Sequence, residues 1–161
     1  MKKTGLIAMI FMVFAFAVSG WSRADSTPAV PAPYDVNANA GAEINAALTE
    51  AAASRKNVLV IFGANWCKDC IELDRSLKGP SAALMKQKFV VVKVNVGEYD
   101  KNLDLSSEFG NPTKIGIPAA VLLSPDRKVI YATHGGELAD ARHMSDQGIY
   151  DFFNKIADRH P

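Results

Sequence analysis

Along most of this 161-residue chain the apolar positions switch between a helical period and short unbroken runs. Residues 42–54 are alanine-rich and set Ile44, Ala47, Leu48 and Ala51 on one stripe, which predicts a helix. Residues 57–63 (NVLVIFG) are continuously apolar and partly β-branched, the pattern of a strand buried on both faces. Helical spacing returns over 67–77, where Cys70, Leu73, Asp74 and Leu77 share a face. Gly79-Pro80 breaks that helix, and Ser81 caps a second short one that reaches Gln87. Residues 89–96 (FVVVKVNV) form the strongest strand signal in the chain. A long polar connection, 97–117, follows, with a helical turn near 103–109. Residues 119–123 and 128–133 flank Ser124-Pro125-Asp126-Arg127, which predicts a hairpin. A polar loop, 134–145, leads to a closing amphipathic helix over 147–159 with Ile149, Phe152, Phe153 and Ile156 on its apolar side.

The predicted order is therefore α-β-α-β-(α)-β-β-α. Strands joined through helices run parallel, and the hairpin adds an antiparallel pair. This gives an α/β domain with a mixed central β-sheet and helices on both faces. It spans 41–161. Residues 25–40, with Pro28, Pro31 and Pro33, read as an extended linker that is either disordered or laid across the domain.

The first 24 residues are of a different kind. Lys2 and Lys3 precede an uncharged, mostly apolar stretch at 6–18, and Ser22-Arg23-Ala24 puts small residues at −3 and −1 of a cleavage site. This is the pattern of a secretory signal peptide. The apolar stretch is shorter than the roughly 20 residues a spanning helix needs. The mature protein is expected to be exported, to a bacterial periplasm.

Composition adds two exclusions. Hydrophobic residues make up 48% and charged residues 22%, which rules out wholesale disorder. Three of the 18 basic residues lie in the first 24 positions and none of the 17 acids does, so the rest of the chain carries a net −2. A broad phosphate-binding surface needs clustered basic charge, so nucleic acid is excluded as a partner.

The chain has two cysteines, Cys67 and Cys70. A structural disulfide stabilises most when it closes a long loop, and this pair would close almost nothing. Reactivity or metal binding explains it better. The motif Trp66-Cys67-Lys68-Asp69-Cys70 follows a buried strand and opens a helix. At a first turn, positions i and i+3 share a face, so the sulfurs are within reach of one another. Cys67 at the helix N-terminus meets unpaired N–H groups and the positive end of the dipole, which favour a thiolate. That makes it the attacking nucleophile. Cys70, a turn deeper, resolves the mixed disulfide. The metal reading needs more ligands, because a closed zinc site takes four. His134, His143 and His160 are the available completions. Exchange is the preferred reading, with no metal and no cofactor beyond the Cys67–Cys70 disulfide.

On these residues the chain resembles the thioredoxin superfamily. The motif at 66–70, Lys93-Val94-Asn95-Val96, and Gly116-Ile117-Pro118 before a strand carry the resemblance, over roughly 42–159. It implies a thioredoxin-like fold in which Pro118 follows a cis bond and lies against the sulfurs. The backbone beside Pro118 would pair with substrate polypeptide as an added strand. Trp66 and Ile117 would contact substrate. Within the superfamily the chain is most similar to exported reductants fed from the membrane, such as the C-terminal domain of DsbD and the cytochrome-maturation thioredoxins. Reducing members often carry Ile before this proline. Lys68-Asp69 matches neither the Gly-Pro of cytosolic thioredoxin nor the Pro-His of the strong oxidant DsbA, and leaves the potential open.

The resemblance also marks a departure. Thioredoxin has a buried Asp on the strand before its motif, which moves protons at the deeper cysteine. Ile61 stands there in this chain. Asp74, at i+4 from Cys70, is at the offset of an acid in the DsbD C-terminal domain. It is a candidate proton acceptor for Cys70, against the alternative of a solvated helix-face residue. Lys93 interrupts the most apolar strand, and either snorkels to solvent or pairs with Asp74. Snorkelling is the preferred reading.

The expected function is reduction of protein disulfides by a monomeric, exported oxidoreductase with a membrane thiol electron donor. The alternatives are a disulfide oxidant or isomerase, a metallochaperone using the same thiolates, and a redox-sensing binding protein. The loop at 134–145 shows nothing that demands catalysis.

Overall fold

The computed structural model describes residues 32–159. The signal-peptide reading, residues 25–31 of the linker and His160 lie outside the described residues. Helix α1 (Ala40–Ser54) is followed by strand β1 (Asn57–Gly63), helices α2 (Lys68–Lys78) and α3 (Ala82–Lys88), and strand β2 (Phe89–Asn95). Helix α4 (Leu103–Glu108), strands β3 (Ala119–Leu123) and β4 (Val129–Ala132), and helix α5 (Asp146–Ala157) complete the order. Two single 3-10 turns, Pro112–Lys114 and Ala141–His143, lie in the long connections.

The sheet order is β2-β1-β3-β4. β1 and β2 are parallel, joined through α2 and α3, while β1–β3 and β3–β4 are antiparallel. The predicted mixed sheet and hairpin are therefore present. Successive strand residues point to opposite faces, and here both faces are covered. Val58, Val60 and Phe62 of β1 pack with α1 residues such as Ile44 and Leu48. Leu59 and Ile61 pack with Leu73 and Leu77 of α2 and with Ile149 and Phe153 of α5. Double coverage explains why β1 reads as an unbroken apolar run.

One reading of the sequence changes, and one stretch left open is placed. Lys93 does not snorkel to solvent. Its side chain is 17% exposed, and its ammonium pairs with the Asp74 carboxylate. The register explains this: Lys93 lies opposite Ile61, on the face that α2 covers. A flexible lysine stem there meets an acid before it meets water. Tyr34 falls within the stretch read as linker, yet it is 1% exposed and belongs to the core. The Asn65 amide holds it in place, accepting from Tyr34 N–H at 3.0 Å and donating to Tyr34 C=O at 2.7 Å. The Tyr34 ring fills the space beside Gly63, where any Cβ would collide with it. Gly63 is therefore required by close approach rather than by backbone conformation.

Candidate active site

The site begins where β1 stops. After Gly63 the chain turns, with Cys67 N–H donating to Ala64 C=O at 3.2 Å, and enters α2. Cys67 is itself the N-cap residue of α2, and its Sγ accepts the Cys70 N–H at 3.1 Å. A cysteine thus occupies the position usually taken by Ser, Thr, Asp or Asn, and its sulfur sits on the unpaired donors of the first turn. Cys67 and Cys70 are joined in a disulfide, with Cα atoms 5.2 Å apart. Cys67 borders the surface at 6% exposure, whereas Cys70 is fully buried.

Three segments wall the cleft above Cys67. The Ile117–Pro118 peptide bond is cis, and the Ile117 carbonyl oxygen lies 3.6 Å from Cys67 Sγ. Trp66 is half-exposed, donates its indole N–H to Gly97 C=O at 2.9 Å and tilts against Tyr99. The loop after β4 supplies Ala139 and Arg142, opening a cleft of about 420 Å³ that also includes Lys68, Asp69, Tyr99 and Ile115. Trp66, Cys67 and Ile117 are thus brought together.

Asp74 stands one turn beyond Cys70 on the buried side of α2 and is 8% exposed, so it is not a solvated helix-face residue. Lys93 pairs with its Oδ1 and Lys78 with its Oδ2, the latter at 2.9 Å. Burial pushes the Lys93 ammonium down to about 8. Among the described residues no cluster of three or more His, Cys, Asp or Glu is arranged to hold a metal.

Sequence reasoning passed over the loop at 134–145. It is tightly built. The Glu137 carboxylate accepts the N–H groups of His134 and Gly135 and the Tyr131 hydroxyl. Leu138 and Ala141 are fully buried. Arg142 reaches Asp69 inside the C-x-x-C segment. These partners are 73 residues apart, and no local pattern signals them.

The thioredoxin-like family model matches residues 39–125, which include the C-x-x-C motif and the cis proline. A solved structure of a disulphide isomerase from Xylella fastidiosa Temecula1 is 50% identical. It covers 81% of this chain and all of its own, with a TM-score of 0.78. The chain belongs to the thioredoxin-like family. The oxidised C-terminal domain of DsbD from Neisseria meningitidis shares the fold at 19% identity and a TM-score of 0.52, covering 73% of this chain and 96% of its own. No curated protein matches the chain. With the family fold and its C-x-x-C disulfide, this thioredoxin-like protein is a thiol–disulfide oxidoreductase.

Proposed function

We propose that this thioredoxin-like protein is exported to the periplasm and reduces protein disulfides. The observation that carries the reading is the placement of Cys67 Sγ on the N–H donors of α2, at the cleft floor, with Cys70 buried behind it. The Cys67 thiolate attacks one sulfur of a substrate disulfide. A mixed disulfide forms, and the other substrate sulfur leaves as a thiolate. Cys70, deprotonated, then attacks Cys67 Sγ, so the second substrate thiolate leaves and the Cys67–Cys70 disulfide forms. Two electrons pass to the substrate. Asp74, paired with Lys93, accepts the Cys70 proton. Trp66 and Ile117 hold the substrate chain, with the backbone at Pro118 pairing to it as an added strand.

Each turnover leaves the protein oxidised, so it needs an electron source. Export separates it from cytosolic reductants, and a membrane thiol conductor supplies the electrons in this reading. Ile117 before the proline supports the reducing direction, and the stretch at 1–24 supports export. A second reading, disulfide isomerisation, is favoured by the 50% identical relative bearing that name. It uses the same Cys67 attack, but a second thiolate of the substrate attacks the mixed disulfide, forms a new substrate disulfide and expels the Cys67 thiolate before Cys70 resolves.

The test is equilibration of the mature protein in a graded glutathione series with thiol trapping, alongside a scrambled-disulfide protein. A potential near roughly −270 mV with net loss of substrate disulfides supports reduction. Reshuffling without net reduction supports isomerisation. A potential near roughly −120 mV overturns the direction.

A further inference from the structure

Asp69 lies between the two cysteines, yet its partner comes from a distant loop. Its Oδ1 accepts the Arg142 backbone N–H at 3.0 Å and the Arg142 Nε–H at 3.1 Å. The Asp69 side chain is 12% exposed, and the Arg142 side chain bonded to it is about half-exposed. Burial pushes Asp69 up, but the Arg142 hydrogen bonds and charge, with His143 nearby, hold it below the usual carboxylate range. Both residues line the cleft that contains Cys67.

We propose that Arg142 is a positioning residue for disulfide exchange: it holds the Asp69 carboxylate away from the α2 donors that stabilise the Cys67 thiolate. The inference rests on the attacking role given to Cys67 above. Asp69 belongs to the first turn of α2, where the unpaired N–H groups attract any carboxylate. Cys67 Sγ uses one of those donors already. Without the Arg142 guanidinium, a nearly buried negative charge two residues from the sulfur keeps only the backbone N–H of position 142 and loses its counter-charge. It repels the thiolate directly and competes for the same N–H groups, and both effects raise the Cys67 pKa. The other charged or titratable groups at this place are few. Lys68 shares α2, Tyr99 faces the cleft, and His143 sits beside Arg142, bonded to Asp140. None of them bonds to Asp69 in place of the Arg142 guanidinium.

The experiment is a thiolate-absorbance titration of the reduced full-length protein, with Cys67→Ala identifying the signal. Arg142→Met is expected to raise the Cys67 pKa by about one unit. Asp69→Asn combined with Arg142→Met is expected to restore it, because the offending charge is then gone. Arg142→Gln, which keeps the bulk and a side-chain donor but drops the charge, is expected to raise the Cys67 pKa by a smaller amount, and its wild-type titration would overturn the proposal should Arg142→Met fail to fold. A merely structural clamp would leave the Arg142→Met titration at the wild-type value, or would leave the double variant as shifted as the single one. Either result overturns the proposal. The titration uses no substrate, so its outcome is separate from the choice between reduction and isomerisation.

Discussion

Lys93 of β2 pairs with Asp74 of α2 across the sheet–helix interface, behind the buried Cys70. The strand position opposite Lys93 is Ile61, so the acid that answers this lysine comes from the helix rather than from the neighbouring strand. The arrangement puts a carboxylate one turn from Cys70 and keeps it there with two ammonium groups, Lys93 and Lys78. Asp74→Asn keeps the shape and removes the proton acceptor. It is expected to slow resolution of the mixed disulfide about tenfold at neutral pH and, by removing a negative charge one turn from the thiol, to lower the Cys70 titration. Unchanged titration and turnover would reduce Asp74 to a packing role. Lys93→Met leaves Asp74 with Lys78 alone and is expected to cost about 2 kcal/mol in urea unfolding.

The same lysine makes stability depend on alkaline pH. Burial brings its folded-state value down to about 8 from the ordinary 10.5. Below pH 8 both folded and unfolded chains hold the proton, and the cost of burying the charge is present in full. Between pH 8 and 10.5 the unfolded chain binds more protons than the folded one. The Lys93 contribution to stability therefore rises with pH across that window and levels off above it. The difference in unfolding free energy between wild type and Lys93→Met, measured at pH 7, 8.5 and 10, is expected to move in favour of wild type. Movement in the other direction would mean that Asp74 holds the ammonium charged throughout.

Tyr34 and Gly63 make a pair that behaves as one packing unit. An ideal Cβ at Gly63 would collide with the Tyr34 ring, so Gly63→Ala must displace the tyrosine. A loss of about 2 kcal/mol is expected. Tyr34→Ala empties a fully buried ring site and is expected to cost about 3 kcal/mol. The Tyr34 hydroxyl is buried with no hydrogen-bond partner among the described residues. Tyr34→Phe is therefore expected to be neutral or slightly stabilising. Urea midpoints of the three variants check the ordering, and a destabilised Tyr34→Phe would show that the hydroxyl is bonded in solution.

What could be read from the chain depended on the distance over which each feature is encoded. The alternation of elements was legible because a strand covered on both faces and a helix covered on one write different periods into consecutive residues. The C-x-x-C motif was legible for the same reason, since its geometry is one helical turn. Tyr34 was not, because prolines dominate its neighbourhood and the residues that hold it, Gly63 and Asn65, are about thirty positions away. The pairing of Lys93 depended on strand register against α2. The loop at 134–145 carries no catalytic signal in the sequence because its links to the motif, Arg142 on Asp69, join chain segments that come together only in the folded state. Long-range polar contacts of this kind leave no periodic trace.

The unequal burial of the two cysteines leads to the last prediction. Cys67 borders the cleft and Cys70 is sealed beneath it. Only Cys67 is placed to meet a sulfur from outside, and only Cys70 is placed to displace it from within. Cys70→Ser is therefore expected to accumulate mixed disulfides with substrate proteins through Cys67, visible as reductant-sensitive adducts on non-reducing gels. Cys67→Ser is expected to form few adducts and to lose turnover. The reverse pattern would require the helix to open so that Cys70 reaches the surface, and would reassign the two roles. Equal trapping by both variants would show that either sulfur attacks, and that the depth of Cys70 does not separate nucleophile from resolving thiol.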